Sequence, residues 1–284
     1  MKNIVWLASY PKSGNTWFRM FLANYLANVE SPLLFSDITD ASIASSAVDF
    51  EEQIGLNPFE LTPDEVDLYR PELYRILSDE NPRDILYKKV HDAYIRNEKD
   101  APLFPAEVSR AAVYFVRNPL DVCVSYANYS ASNVAKTVNL IMNKEASLAG
   151  QKSGQLRQIL LSWQGHYFSW SKQQQIPVYV VRYEDMKRTP MEAFGGVIRF
   201  LGLEYNEERL YRAIINSDFK LLQQMEKEGE FKEKTQKCES FFWKGSIGNY
   251  ENYLSEEQIQ SIINANFEAM LELGYIDTNR KLTL

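Results

Sequence analysis

The sequence is short of cysteine, of histidine, of long apolar runs and of basic charge, and each shortage removes a class of protein. Cys123 and Cys238 are its only cysteines. They stand in no metal-ligand spacing, and with no secretory signal ahead of them they are expected to be free thiols without a functional role. The first apolar run, Ile4 to Ala8, is five residues long, too short for the apolar region of a signal peptide. No run approaches the ~20 apolar residues that span a bilayer, so the expectation is a soluble, cytoplasmic chain with no membrane partner. Lys and Arg number 31 against 38 Asp and Glu, a net charge of −7. That field repels polyanions, which argues against a nucleic-acid partner and requires any phosphate site to be local. What the chain does have is 284 residues at 45 % apolar content, enough to bury a large core and to exclude disordered and fibrous classes. With no repeat, low-complexity tract or linker, one domain over residues 1–284 is expected.

Periodicity gives the fold class. Ile4 to Ala8 is nearly all apolar and ends in a Pro/Ser/Gly cluster, as a strand buried on both faces of a parallel sheet does. From Thr16 onward Trp17, Phe21, Leu22, Tyr25 and Leu26 recur at helical spacing. Further strands are expected at Ile85–Val90, Ala112–Val116 and Val178–Val181, between stretches of helical pattern. The alternation predicts an α/β fold with a central, mostly parallel sheet flanked by helices. Thr189-Pro190-Met191-Glu192 and Ser255-Glu256-Glu257-Gln258 predict capped helix starts, the first helix stopping at Gly202 and the second at Gly274. Residues 30–74, about 127–154 and about 217–248 read as irregular.

Three places could hold an anion. In Tyr10-Pro11-Lys12-Ser13-Gly14-Asn15-Thr16-Trp17, a strand turns into a helix, so backbone N–H groups and the positive helix end converge beside a lysine and two hydroxyls. A capped turn with a surface lysine is the plainer alternative. The order is not that of a nucleotide-triphosphate P-loop, because Lys12 precedes the only glycine. Arg117-Asn118-Pro119-Leu120-Asp121 sets a cation over a second helix start, with Ser125 one turn beyond Asp121; the plainer reading is a cap and a surface serine. Phe242-Trp243-Lys244-Gly245-Ser246-Ile247-Gly248 is a glycine-flanked turn able to close on an oxyanion.

Together and in this order, the motifs resemble the cytosolic-type sulfotransferases that use 3′-phosphoadenosine 5′-phosphosulfate (PAPS), here in the manner of a bacterial small-molecule member serving secondary metabolism. YPKSGNTW is similar to the family's P-loop-like phosphosulfate loop, YFVRNPLDVCVSY to its 3′-phosphate motif, RYEDM with KRTP to its adenosine segment, and WKGSIGNY to its late loop. The resemblance implies Lys12 on the bridging oxygen of the donor and Ser13, Gly14, Asn15 and Thr16 around the 5′-phosphate. It puts Trp17, Tyr183 and Phe219 at the adenine, and Arg117, Ser125, Lys244 and Gly245 at the 3′-phosphate. His91, in Lys89-Val90-His91, would be the general base, a role suited to a side chain that titrates near neutrality. Lys12 and Lys89 would neutralise the departing phosphate oxygen, and no metal is called for. His166, among Leu160, Trp163, Tyr167 and Trp170, reads as packing or surface.

The sequence also departs from the pattern. Trp243 stands where family members usually carry arginine, and the dimer signature of many animal members is absent after the late loop, so the oligomeric state is not inherited. Residues 30–74 are rich in acids against one base, Arg70. A solvated acidic face explains this simply; a polar or cationic acceptor, such as a guanidinium alkaloid, is the sharper expectation. Two alternatives stay open, a nucleotide-dependent small-molecule kinase and a nucleotide-binding protein without catalysis.

Overall fold

The computed structural model describes residues 2–38, 41–148, 154–229, 231, 233–234, 238 and 240–283. They divide into two compact units. One comprises Met1–Tyr10, Ala41–Tyr114 and Asn143–Val180, the other Pro11–Asp40, Phe115–Met142 and Val181–Leu284.

The first unit is built on β1 (Ile4–Ser9), followed by α2 (Ala47–Ile54), α3 (Pro63–Asp79), β2 (Leu86–Val90) and β3 (Ser109–Val116), then β4 (Ser147–Leu148), β5 (Gln158–Ile159), α6 (Trp163–Ser171) and the start of β6 (Val178–Arg182). The sheet order is β2-β1-β3-β6. β1 runs parallel to β2, Ile4 opposite Leu86 and Ala8 opposite Val90. All of β1 is buried, which is why its sequence shows no alternation: a strand covered on both faces has no polar side to display. Trp6 packs on Tyr74 and Phe104 at ring distances of 5.0 and 4.9 Å, and its indole N–H donates to Ser109 Oγ at 2.7 Å.

The second unit carries α1 (Asn15–Ala27), α4 (Pro119–Ser130), α5 (Val134–Met142), α7 (Tyr183–Arg188), α8 (Pro190–Phe200), α9 (Glu207–Ile215), α10 (Phe219–Glu228), α11 (Glu256–Ala265) and α12 (Phe267–Glu272). Its core is aromatic, with Phe18 against Phe115 at 4.7 Å and Phe21 stacked on Phe194 at 4.3 Å.

The four expected strands are present within a few residues of their expected ends. The long irregular stretches are not irregular. Residues 30–74 hold α2 and most of α3, the second stretch holds α5, and the third holds α10; of the second, 149–153 lie outside the described residues. Two of these helices, α3 and α10, hid because their inward faces are partly polar. α3 buries Asp67 and Arg70 beside Val66, Leu73 and Tyr74, and α10 buries Glu226 beside Leu222. The Ser255 capping box forms as expected, but its helix breaks at Asn266, whose φ of −125° is not helical, before α12 resumes. Thr189 makes no capping bond, because it also ends α7 and its hydroxyl turns back to the Asp185 carbonyl.

Candidate active site

The donor-type residues named from the sequence gather largely in the second unit. Between β1 and α1 the chain turns through Lys12 at φ +68° and Gly14 at φ +99°. Gly14 is the N-cap of α1, so the first-turn N–H groups and the positive helix end face the turn. A Cβ on Gly14 would lie 2.8 Å from the Tyr183 ring; glycine is needed there for space as well as for φ. Ser13 is fully buried, and its hydroxyl has no hydrogen-bond partner among the described residues, the state expected of a group that awaits a ligand. Lys12 Nζ lies over the rings of Phe241 and Tyr129, 3.8 and 4.4 Å from their centres. Thr16 Oγ1 donates to the Glu233 carboxylate at 2.9 Å, and the same carboxylate pairs with Arg19. Trp17 Nε1 donates to the Ser217 carbonyl at 2.8 Å.

Arg117 ties the three loops together. Its guanidinium donates to the Ser246 carbonyl at 2.9 Å and, at 3.5 Å, to the carbonyl of Lys12, while lying 4.3 Å over the Tyr183 ring. Its Nε is buried with no hydrogen-bond partner among the described residues. Asn118 caps α4 through Leu120 N–H. Asp121 does more than the cap expected of it: its two oxygens accept from Gly248 N–H at 2.9 Å and Tyr250 N–H at 3.1 Å, which holds the late loop. Burial pushes its pKa up, against the pull of Arg117 and these amides. Tyr183 donates its hydroxyl to the Gly245 carbonyl at 3.0 Å, and a Cβ on Gly245 would come within 2.4 Å of the Phe219 ring.

Several of these partners were invisible in sequence. Glu184, fully buried, accepts from Asn118 N–H at 3.0 Å and from Tyr275 Oη–H at 2.8 Å, and burial raises its pKa. Lys187 Nζ stands 5.4 Å from the Trp17 ring and 5.1 Å from the Phe219 ring; burial lowers its pKa, Asp218 opposing. Both acid and lysine fall in RYEDMK, so only their nearness to Tyr183 in sequence could have flagged them. Ser125 is half-buried on α4. Lys244 is exposed and donates to Tyr253 Oη at 2.9 Å. Trp243 packs on the same ring at 5.5 Å, so the residue in the place of the usual arginine builds an aromatic clasp.

His91 and Lys89 belong to the first unit. Strand alternation turns Lys88 inward, where it is buried against Asp49 at 2.8 Å, and leaves Lys89 half-buried. His91 follows the end of β2. Its Nδ1 lies 2.9 Å from the Ser9 carbonyl oxygen and 3.3 Å from Ser9 Oγ. A carbonyl only accepts, so Nδ1 carries a proton. The acids of residues 30–74 are extensively paired: Asp67 with Arg70 and Arg157, Asp64 with Arg157, Glu72 with Arg75, and Glu30 with Arg212 in the second unit's own residues.

Comparison with known proteins gives the family and the fold. The sulfotransferase domain model matches residues 2–274. A flavonol 3-sulfotransferase of Flaveria bidentis is 26 % identical over 92 % of this chain and 79 % of its own. Among solved structures, retinol dehydratase in complex with retinol and PAP has a TM-score of 0.63 at 18 % identity, covering 95 % of this chain and 81 % of its own. A mouse sulfotransferase complexed with PAP has a TM-score of 0.61 at 19 % identity, covering 95 % and 84 %. The fold is thus the α/β fold of these enzymes, with a central parallel sheet flanked by helices. The chain belongs to the sulfotransferase family.

No helix among the described residues is long and apolar enough to cross a membrane.

Proposed function

We propose that the protein moves the sulfuryl group of PAPS to a hydroxyl or amine of a small-molecule acceptor, working in the cytoplasm as one sulfotransferase domain. The observation that carries the reading is Arg117, whose guanidinium bonds backbone of both the first and the late loop while its Nε, like Ser13 Oγ, is left without a partner among the described residues. Buried donors in that condition fit a multiply charged phosphate ligand.

In this reading Lys12, Ser13, Gly14, Asn15 and Thr16 hold the 5′-phosphosulfate, Trp17, Tyr183 and Phe219 the adenine, and Arg117, Ser125, Lys244 and Gly245 the 3′-phosphate. PAPS supplies an activated sulfuryl group. His91 takes the acceptor proton on Nε2 as the acceptor oxygen or nitrogen attacks sulfur in line, and the S–O bond to the phosphate breaks. The imidazolium so formed is steadied by its Nδ1–H bond to Ser9. Lys12 and Lys89 neutralise the oxygen that leaves.

The finer proposal is a polar, cationic acceptor such as a guanidinium alkaloid, resting on the acid-rich segment 30–74. The ion pairs to Lys88, Arg70, Arg75, Arg157 and Arg212 take up part of that charge, so an acceptor panel decides it. Preference for neutral phenols over cationic alcohols and amines rejects it.

The main test is thermal shift of the whole chain with PAP, ATP and AMP, followed by turnover with PAPS and an acceptor library. PAP at a hundred times its Kd should add about 2.7 kcal/mol of stability. Stabilisation by ATP with magnesium but not by PAP would favour the kinase. Binding of PAP with no turnover across the library would favour a catalytically silent protein.

A further inference from the structure

His166 was expected to be packing or surface, and it is fully buried. Both of its ring nitrogens are engaged. Nε2 lies 3.0 Å from the carbonyl oxygen of His91, and Nδ1 lies 2.8 Å from Tyr114 Oη. A carbonyl can only accept, so Nε2 carries the proton and Nδ1 accepts from the Tyr114 hydroxyl. The Tyr114 oxygen in turn is bonded by the backbone N–H of Tyr10. The direction of every bond is therefore fixed: Tyr10 N–H to Tyr114, Tyr114 O–H to His166, His166 N–H to the His91 carbonyl.

The start of that chain gives it meaning. Tyr10 N–H and Ser9 C=O belong to the same peptide unit, and the Ser9 carbonyl accepts the Nδ1–H of His91. One peptide at the end of β1 thus grips His91 twice, directly at the imidazole and, through Tyr114 and His166, at the backbone. α6 adds a second support one turn further on, where Trp170 Nε1 donates to the Asp92 carbonyl at 3.0 Å.

We propose that His166 is a positioning residue for His91: together with Tyr114 it closes a hydrogen-bonded ring from the Ser9–Tyr10 peptide that fixes the aim of the His91 imidazole and its Nδ1–H tautomer. This rests on His91 being the base. Burial lowers the His166 pKa to about 4, so the ring keeps its one-way order at neutral pH. Misplacing a catalytic group by an ångström can cost about a hundredfold in rate.

The test uses the full-length protein and three variants. His166→Leu should lower kcat about 10- to 100-fold while leaving the PAP Kd within about twofold. His166→Gln, whose amide can donate to the His91 carbonyl and accept from Tyr114, should recover most of that loss. Nitrogen-15 imidazole spectra of the parent protein should show His166 as the Nε2–H tautomer and His91 as the Nδ1–H tautomer. A purely structural role would lower Tm but leave kcat per folded molecule unchanged. That result, failure of Gln to restore a rate lost in Leu, or an Nδ1–H tautomer at His166, would overturn the inference. Should His166→Leu not fold, the spectra and His166→Gln decide it: a rate for Gln as low as that of His91→Ala overturns it. His91→Ala separates the two claims. Near-parental turnover there removes the base assignment itself, whereas loss of turnover in His91→Ala with full turnover in His166→Leu removes only the positioning.

Discussion

Two buried polar clusters, one in each unit, are satisfied in opposite ways. In the first, Arg70 is fully buried and spends its guanidinium on Asp67, Asp92, Tyr74 and the Arg157 carbonyl, and His166 has both nitrogens bonded. In the second, Ser13 Oγ and Arg117 Nε are buried without partners among the described residues, and Lys12 Nζ lies over two aromatic rings. A group that must keep one aim through a reaction is served by closed hydrogen bonding. A surface that must receive a charged ligand is served by donors left open.

That contrast can be pressed from both sides. The largest effect is expected at the open side, where Lys12→Ala should cost about 10²- to 10³-fold in kcat, because in the proposed mechanism Lys12 neutralises the leaving oxygen; near-normal turnover with a true acceptor would break the contrast. Next comes acid stability at the closed side. An unfolded chain protonates His166 near its ordinary pKa, whereas the folded chain refuses the proton until about pH 4. The unfolded state thus binds more protons in that interval, and stability should fall as pH drops from about 6.5 to about 4, by roughly 3 kcal/mol from this group. Denaturation curves across that range should flatten in His166→Gln.

Asp121→Ala should weaken PAP binding by about 1.5 to 3 kcal/mol, since it frees the two late-loop amides that the carboxylate now holds; calorimetry would read it, and an unchanged Kd would show that the late loop holds itself. The smallest effect sharpens the picture of the first loop. The Glu233 carboxylate bonds Thr16 and Arg19, where the proposed 5′-phosphate is received, so Glu233→Gln should tighten PAP binding about three- to tenfold.

Legibility followed range. β1, its loop and α1 could be read because strand period, glycine, lysine and helix period are all local. The late loop could be located by Gly245 and Gly248 but not understood. What holds it is Asp121, 127 residues before Gly248, together with Glu226, whose carboxylate accepts from the N–H groups of Phe241 and Phe242. α3 was lost for a related reason: Arg70 and Asp67 sit on its inward face and interrupt the apolar stripe. In sequence His166 is a lone imidazole among aromatics. Its two partners, Tyr114 and the His91 carbonyl, are 52 and 75 residues away, a distance over which side-chain type alone carries no signal.

The many acids of the chain have a consequence for how fast a ligand arrives. With a net charge of −7, the protein repels an anionic nucleotide at long range, and attraction begins only when Arg117 and Lys12 are within a few ångströms. Added salt damps the first effect more than the second. Encounter with the donor should therefore quicken as ionic strength rises, the reverse of an electrostatically steered enzyme.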